Sequence, residues 1–261
     1  MGYAVNGTTR IWWDQQGEGP PLLLAMGHMW DSQMWWRALP ALTAAYRVIW
    51  FDNRGAGRTE WDGTGFDIED LAADAFAVLD DAGVETADLY GMSMGGLTVQ
   101  EMALSEPGRV RSLILGCTAA FGPADKQGSA RRDAMVAHTP RWLTLRLMPK
   151  LLYGPDADPG ALAEDLRIQR DARIPPAAVL AQRVAVGRYR SFDRVGKIGV
   201  PTLILHGEVD KAVPVARGRE LAERIPGAKL VVLPRAGHNY LADSGTTAMD
   251  EVLAFLGSHA A

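Results

Sequence analysis

Short, continuous runs of apolar residues alternate with helical patterns along most of this chain, and this alternation limits the possible fold more than any other feature. An apolar run of five or six residues is typical of a strand buried on both faces of a parallel sheet. Strands that alternate with helices predict an α/β fold: a doubly wound, mostly parallel central sheet with helices on both faces. The predicted strands are Pro21–Met26, Arg47–Asp52, Ala87–Met92, Ser112–Cys117, Thr202–Gly207 and Lys229–Pro234, with Ile11–Gly17 as an extra edge strand.

Amphipathic stripes and end signals locate the helices between these strands. In residues 67–82 the apolar side chains recur on one face, Asp67 stands at the N-cap position and Asp70 lies in the first turn. Gly83 follows as a stop signal. The other predicted helices are Leu97–Leu104, Ala216–Ile225 and Thr246–Leu256.

The alternation is interrupted between residues 119 and 195. This stretch is helical in pattern, rich in arginine and without strand signals, and clusters of proline and glycine divide it. We expect it to form a helical cap over the sheet and not an independent domain. The predicted core therefore comprises residues 1–118 and 196–261, with residues 119–195 as the cap.

Composition and charge argue against several classes of protein. The chain of 261 residues is 48% hydrophobic with a net charge of −4, which does not suggest the basic footprint of a nucleic-acid-binding protein. Its start shows no secretory signal, and no apolar run approaches the ~18 residues of a membrane helix, so we expect a cytoplasmic protein. The single cysteine, Cys117, cannot form an intrachain disulfide and is expected to be a small buried hydrophobe.

A glycine-flanked serine stands at the end of one predicted strand. The stretch LYGMSMGGL, residues 89–97, places Ser93 two positions from Gly91 and two from Gly95, with a helical pattern after it. This G-x-S-x-G arrangement between a strand and a helix is the context of a nucleophile elbow, whose tight turn leaves no room for side chains at the two glycines. A plain strand-to-helix turn is the alternative interpretation.

A serine nucleophile needs a base to take its proton, and position separates the five histidines. His238 follows the predicted strand KLVVLP, and loops at the carboxyl ends of strands line the crevice of an open α/β sheet. We therefore choose His238 as the base. His259 lies near the end of the chain, His138 in the insertion, His206 in a strand end where packing is expected, and His28 after an early strand.

The base in turn needs a carboxylate to orient it and to stabilise the imidazolium. The loop HGEVDKAVP offers Glu208 and Asp210 directly after a predicted strand. Asp210 lies deeper in the loop and has more room to turn inward, so it is the preferred acid, with Glu208 in reserve. Two solvated loop acids are the alternative. The chosen residues follow the order Ser93, Asp210, His238 along the chain.

The chain resembles the α/β-hydrolase fold family over nearly its whole length. Besides GMSMGG, it carries FDNRGAGRT at residues 51–59, which is similar to the D-x-R-G-x-G turn of the family, then the acid loop HGEVDKAVP and the histidine loop AGH, in family order. It is most similar to small capped members: 3-oxoadipate enol-lactonase-like proteins, related carboxylesterases and serine C–C hydrolases. Haloalkane dehalogenases and epoxide hydrolases of this fold use an aspartate nucleophile, so Ser93 argues against both.

The resemblance also implies an oxyanion hole made of two backbone N–H groups. One would come from Met94, directly after the serine, and the other from the loop after an early strand. There Met26 and Gly27 replace the family's usual His-Gly pair, so His28 becomes the expected donor through its backbone. Candidate pocket residues are Trp30, Trp35 and Met92, with Trp36 close by; core packing is the alternative for each.

The function implied is that of a serine hydrolase which cleaves a carboxylic ester or lactone through an acyl-enzyme intermediate. The same triad can run C–C bond hydrolysis or perhydrolysis, and some proteins of this fold are ligand receptors, so these alternatives stay open. No metal or cofactor is expected, and the expected partner is a small-molecule substrate, not a nucleic acid or a membrane. The oligomeric state is open, with a homodimer as one option. Arginines that would suit a carboxylate substrate, or would merely be solvated, are Arg131, Arg132, Arg183 and Arg190.

Overall fold

A computed structural model describes residues 1–122, 148–172 and 174–259. Within these ranges eight strands form one sheet in the order β1-β2-β4-β3-β5-β6-β7-β8. Strands β3 to β8 run parallel to one another, whereas β2 is antiparallel to both of its neighbours, β1 and β4, so the predicted α/β class is confirmed. Their bounds are β1 Gly2–Asn6, β2 Thr9–Gln16, β3 Pro21–Ala25, β4 Arg47–Phe51, β5 Ala87–Met92, β6 Val110–Gly116, β7 Thr202–Gly207 and β8 Lys229–Leu233.

The sequence analysis missed β1, which lies outside β2 and makes the actual edge of the sheet. The prediction of an edge strand at Ile11–Gly17 was therefore wrong in its place, because β2 has β1 on one side and β4 on the other. In β1 only Ala4 is buried, while Tyr3 and Val5 are exposed. A strand with one buried residue shows no continuous apolar run, which explains why the pattern did not reveal it.

The helices lie where the amphipathic stripes predicted them, with one shifted start. Asp67 donates its backbone N–H to Asp70 Oδ2 at 2.8 Å and precedes α2, as expected. The helix predicted from Leu97 begins three residues earlier, at Met94, because two glycines hide its first turn. The α-helices described are α1 Leu39–Leu42, α2 Ile68–Asp81, α3 Met94–Ser105, α4 Pro159–Asp171, α5 Pro176–Arg188, α6 Ala216–Arg224, α7 Tyr240–Asp243 and α8 Thr247–Ser258.

The central strands are buried on both faces. In β3, Leu22 and Leu24 contribute to one apolar cluster, while Leu23 and Ala25 contribute to the cluster on the other side of the sheet. Successive side chains of a strand point to opposite faces, so a strand covered on both faces needs apolar residues at every position. In the described ranges, no helix is long and apolar enough to span a bilayer.

Candidate active site

Ser93 alone joins β5 to α3 and adopts a conformation that is rare for a residue with a side chain. Its φ is 54° and its ψ is −115°. Such a backbone is strained and persists only where its surroundings hold it. The Ser93 N–H donates to the Gly116 carbonyl at 2.8 Å, and the Ser93 carbonyl accepts from Thr118 Oγ1 at 2.8 Å. The neighbouring strand β6 and the residues after it therefore hold this serine turn (residues 91–96).

The glycines of the serine turn are required by close backbone contacts. A Cβ on Gly91 would overlap the carbonyl oxygen of Gly95, and a Cβ on Gly95 would overlap that of Ala25 in β3. A Cβ on Gly96 would lie 2.6 Å from Thr118 Cβ, so the close packing of α3 against Thr118 also requires glycine here. The interpretation of Gly91 and Gly95 as clearance for a tight turn is confirmed.

A short hydrogen bond joins the predicted base to the predicted acid. His238 lies in the histidine loop (residues 234–239) after β8, and its Nδ1 is 2.7 Å from Asp210 Oδ2. The other oxygen, Asp210 Oδ1, accepts the backbone N–H groups of Ala212 and Val213 at 2.8 Å each, which fixes the carboxylate. Glu208, the reserve acid, is exposed and accepts the backbone N–H of Arg235 instead, at 2.9 Å.

These contacts shift both pKa values. Burial would raise the pKa of Asp210, but hydrogen bonds from His206, His238 and the Val213 N–H outweigh it and lower that pKa to about 2. Burial would lower the pKa of His238, but the Asp210 carboxylate beside it favours the protonated ring, and the pKa is raised above its ordinary value. The pair is therefore a fixed carboxylate beside a strongly basic imidazole.

His206 also belongs to this cluster, which the sequence analysis did not expect. Its ring is fully buried, and its Nε2 lies 2.8 Å from the Val213 carbonyl and 3.4 Å from Asp210 Oδ2. The His206 ring therefore holds the aspartate loop (residues 208–213) in place through Val213 and Asp210. The spacing of four between the two residues was visible in the sequence, but a strand end gives no indication of which way its ring turns.

The residue after His238 is tied to a buried carboxylate of the insertion. Asp165 lies on α4 with no exposed surface, and its oxygens accept hydrogen bonds from four side chains of three chain segments. These are Trp36 Nε1 at 2.9 Å, the Arg37 guanidinium at 2.6 Å, the Tyr153 hydroxyl at 2.9 Å and Asn239 Nδ2 at 2.8 Å. Sequence reasoning missed Asp165, because a carboxylate on a polar helix is usually solvated.

Ser93 and His238 approach the same buried thiol. Cys117 follows Gly116 with a φ of 40°, is fully buried, and lies beside the His238 ring. Burial raises the pKa of the Cys117 thiol, as expected for a buried hydrophobe. Among the described residues, no hydrogen bond joins Ser93 Oγ to His238; such bonds are often long without substrate and tighten in the complex.

The loop after β3 lies against the serine. A Cβ on Gly27 would be 3.1 Å from Ser93 Cβ and 3.7 Å from Ser93 Oγ, so only glycine leaves room there. His28 follows, and its ring Nε2 lies 3.1 Å from the Val179 carbonyl of α5. Met94 is the first residue of α3, where a backbone N–H has no acceptor inside the helix. The structure thus places the Gly27 loop (residues 26–29) and the start of α3 around Ser93.

The candidate pocket residues are mostly buried. Trp30, Trp35 and Met92 belong to one apolar cluster, in which the ring of Trp35 lies 4.8 Å from that of Tyr90. Trp36 contacts the insertion through its bond to Asp165. Among the candidate arginines, Arg190 donates to two backbone carbonyls and Arg183 lies on α5. Arg131, Arg132 and His138 lie outside the described residues.

Comparison with known proteins agrees with this architecture. Residues 20–244 match the model of the alpha/beta hydrolase fold family, which is most of the chain, so the chain belongs to that family. Its relatives and structural neighbours include a protein named as a candidate carbamate hydrolase and, at 27% identity, an enol-lactonase.

Individual relatives are similar over nearly their full length. A protein from Azorhizobium caulinodans named as a candidate carbamate hydrolase, RutD, is 32% identical, with 98% of each chain covered. The structure of a hydrolase from Pseudomonas aeruginosa PA01 is 27% identical with a TM-score of 0.85, covering 98% of this chain and 97% of that one. The enol-lactonase from Burkholderia xenovorans LB400 is 27% identical with a TM-score of 0.82, covering 98% and 99%.

Proposed function

We propose that this protein is a serine hydrolase that cleaves a carboxylic ester or lactone with Ser93, His238 and Asp210. One observation carries the proposal: a backbone-strained serine and a 2.7 Å histidine–aspartate hydrogen bond lie at the carboxyl end of the same parallel sheet. Strain of this kind is concentrated at functional sites. The buried acid–base pair gives the serine the base that it requires.

The chemistry follows from these positions. Asp210 holds the Nδ1–H of His238, which leaves Nε2 to take the proton of Ser93 as its oxygen attacks the carbonyl carbon. The resulting imidazolium then donates this proton to the leaving alcohol oxygen, and an acyl-enzyme remains on Ser93. His238 next takes a proton from water, the hydroxide attacks the acyl carbon, and the proton returns to Ser93 as the acid product leaves.

Two backbone N–H groups would hold the negative charge that develops on the carbonyl oxygen. We assign them to Met94, the first residue of α3, and to His28, which follows Gly27, the residue packed against Ser93. Each such donor is worth about 10²–10³ in turnover. The positive end of the α3 dipole points at the same place and adds to this stabilisation.

The insertion between residues 119 and 195 is proposed to act as the cap that shapes the substrate pocket. Contacts of its described helices support this: α4 bonds to Trp36 and Arg37, and α5 bonds to Met29. Trp30, Trp35 and Met92 remain candidate pocket residues. The names of the relatives suggest the substrates to test first: lactones from the enol-lactonase, and carbamates from RutD.

Hydrolysis of p-nitrophenyl acetate, p-nitrophenyl butyrate, a lactone panel and a p-nitrophenyl carbamate by wild type and Ser93→Ala tests the proposal. We expect wild-type turnover on an ester or lactone and a loss of at least about 10³-fold in Ser93→Ala. Turnover confined to the carbamate would refute the ester or lactone assignment and would mean that the protein hydrolyses carbamates. Binding without turnover would favour a receptor on the same fold, and would refute the hydrolase.

A further inference from the structure

A buried amide from the insertion reaches the loop beside Ser93. Gln182 lies on α5 with no exposed surface, and both ends of its side chain are used. Its Oε1 accepts the backbone N–H of Met29 at 3.1 Å, and its Nε2 donates to the backbone carbonyl of Arg54 at 3.1 Å. A buried amide with both groups paired is costly to displace, so it holds these two loops at a set distance.

The residue that Gln182 holds is itself strained. Met29 has a φ of 66°, a value that residues with a side chain rarely adopt. Such a conformation persists only when surrounding contacts favour it, and the Met29 N–H bond to Gln182 is one of these contacts. The peptide that carries this N–H directly follows His28, the expected oxyanion donor, so its orientation constrains the His28 backbone as well.

The other end of the Gly27 loop is held from the core of the fold. Asn53 Nδ2 donates to the Met26 carbonyl at 2.8 Å, and Gly27 abuts Ser93. On the outer side, the ring of His28 contacts the Val179 carbonyl, one turn before Gln182 on α5. The core therefore fixes the start of the loop, and the insertion fixes its end.

We propose that Gln182 is a positioning residue for the oxyanion hole: it holds Met29 so that the preceding His28 N–H points at the oxygen developing next to Ser93. The inference rests on the proposed hydrolase function. It means that α5 is part of the catalytic architecture, because a helix of the insertion sets the geometry of a donor in the core. A displacement of about 1 Å in such a group can cost about 10²-fold in rate.

The test compares Gln182→Met with Gln100→Met, a matched control. Gln100 is also fully buried with two hydrogen bonds, to the Ala119 carbonyl and from the Ser191 hydroxyl, neither of which involves the Gly27 loop. In Gln182→Met we expect kcat to fall about 10- to 100-fold at unchanged KM, because only transition-state binding is lost. Gln100→Met should lower the melting temperature similarly and leave kcat unchanged.

Two further readouts separate positioning from a merely structural role. A boronic acid such as butylboronic acid forms a tetrahedral adduct with the serine and places an oxygen in the oxyanion hole, so its inhibition constant should rise by the same factor as kcat falls. Hydrogen exchange of the Met29 amide should become faster in Gln182→Met and not in Gln100→Met.

A conservative variant sharpens the distinction. Burial keeps the carboxylic acid of Gln182→Glu neutral, so its carbonyl oxygen can accept from the Met29 N–H and its hydroxyl can donate to the Arg54 carbonyl. Positioning predicts that this variant is more active than Gln182→Met. Gln182→Asn, one methylene too short to span both loops, repeats the kinetic test if Gln182→Met does not fold.

Wild-type kcat and boronate affinity in folded Gln182→Met would overturn the inference, as would activity that simply follows stability across the variants. Both results can be distinguished from a wrong assignment of the hydrolase function. If that assignment is wrong, the wild-type protein itself shows no Ser93-dependent turnover, and the proposed role of Gln182 is refuted as well.

Discussion

The serine turn and the histidine loop are held in opposite ways. Ser93 is fixed by the strand that ends before it and the helix that starts after it, with further contacts from the next strand along the sheet. The histidine loop is tied to distant parts of the chain: Asp165 of the insertion accepts from Asn239, and Asp243, just after the loop, accepts the backbone N–H groups of both Gly237 and the distant Gly154 at 2.7 Å.

This difference separates two ways of building a site. A position set by regular structure is insensitive to what the insertion does, whereas a position set by tertiary contacts depends on all the segments that meet there. We therefore expect damage to the insertion to act on the base and the oxyanion donor first, and on the serine last.

The largest effect should come from the acid. In Asp210→Asn the uncharged amide no longer stabilises the imidazolium, so we expect kcat to fall about 10⁴-fold. Steady-state kinetics on the best ester measures this. Glu208→Gln is the matched control on the same loop and should keep wild-type kcat. An equal loss in both variants would mean that the aspartate loop is sensitive as a whole and that Asp210 has no special role.

The next largest effect should come from the buried carboxylate of the insertion. Asp165→Asn leaves the Arg37 guanidinium without its countercharge, at a cost of about 3–5 kcal/mol in the free energy of unfolding. Urea denaturation measures this cost. The double variant with Arg37→Met should lose less than the sum of the two single losses, since it leaves no unpaired charge.

The half-exposed acid Glu164, on the same helix, is the control for Asp165. Its pair with Arg167 is exposed on the surface, and such pairs add little. Glu164→Gln should therefore unfold like wild type. If Asp165→Asn does the same, the insertion does not hold the histidine loop, and the contrast with the serine turn disappears.

A smaller loss should follow from crowding the serine turn. In Gly95→Ala the new methyl group overlaps the Ala25 carbonyl, and we expect a cost of about 1–3 kcal/mol in unfolding free energy together with loss of activity. Gly108→Ala is the control, since a Cβ there meets no atom within 4 Å. A fully active Gly95→Ala would show that the turn tolerates movement and that its strain is not essential.

The smallest effect should be on the pH profile. His238 must be neutral to act as a base, and its raised pKa means that the rate falls as pH drops through a midpoint above the ordinary value of 6.5. The profile of kcat/KM measures this midpoint. In Asp210→Asn the charge is lost while burial remains, so the midpoint should move down by about one pH unit or more. An unchanged midpoint would mean that Asp210 orients the ring without changing its basicity.

The parts of the molecule that follow from local pattern were predictable. The apolar runs gave the central strands, because burial on both faces demands apolar residues at every position. Chain order and strand ends placed Asp210 and His238 together, since the carboxyl ends of parallel strands meet at one edge of the sheet. The edge strand β1 was not predicted, because a strand with one buried residue shows no continuous apolar run.

The polar anchors were not predictable for a different reason. Asp165, Gln182 and His206 are polar residues on helices or at a strand end. In each case the sequence alone favours a side chain that is merely solvated or packed and has no role in the site. Their significance comes from partners that lie far away in the chain: 128 positions separate Arg37 from Asp165, and 153 separate Met29 from Gln182. Local propensity carries no information about such pairs.

The long separations around Asp165 have a consequence for the order in which the site is assembled. Contacts between residues close in sequence form sooner than contacts that must close long loops. The Ser93–Thr118 bond spans 25 positions, whereas the bond that anchors Asn239 spans 74. We therefore expect Ser93 to reach its final position during folding before His238 does. A partly folded chain would then lack hydrolytic activity until the insertion and the histidine loop have packed together.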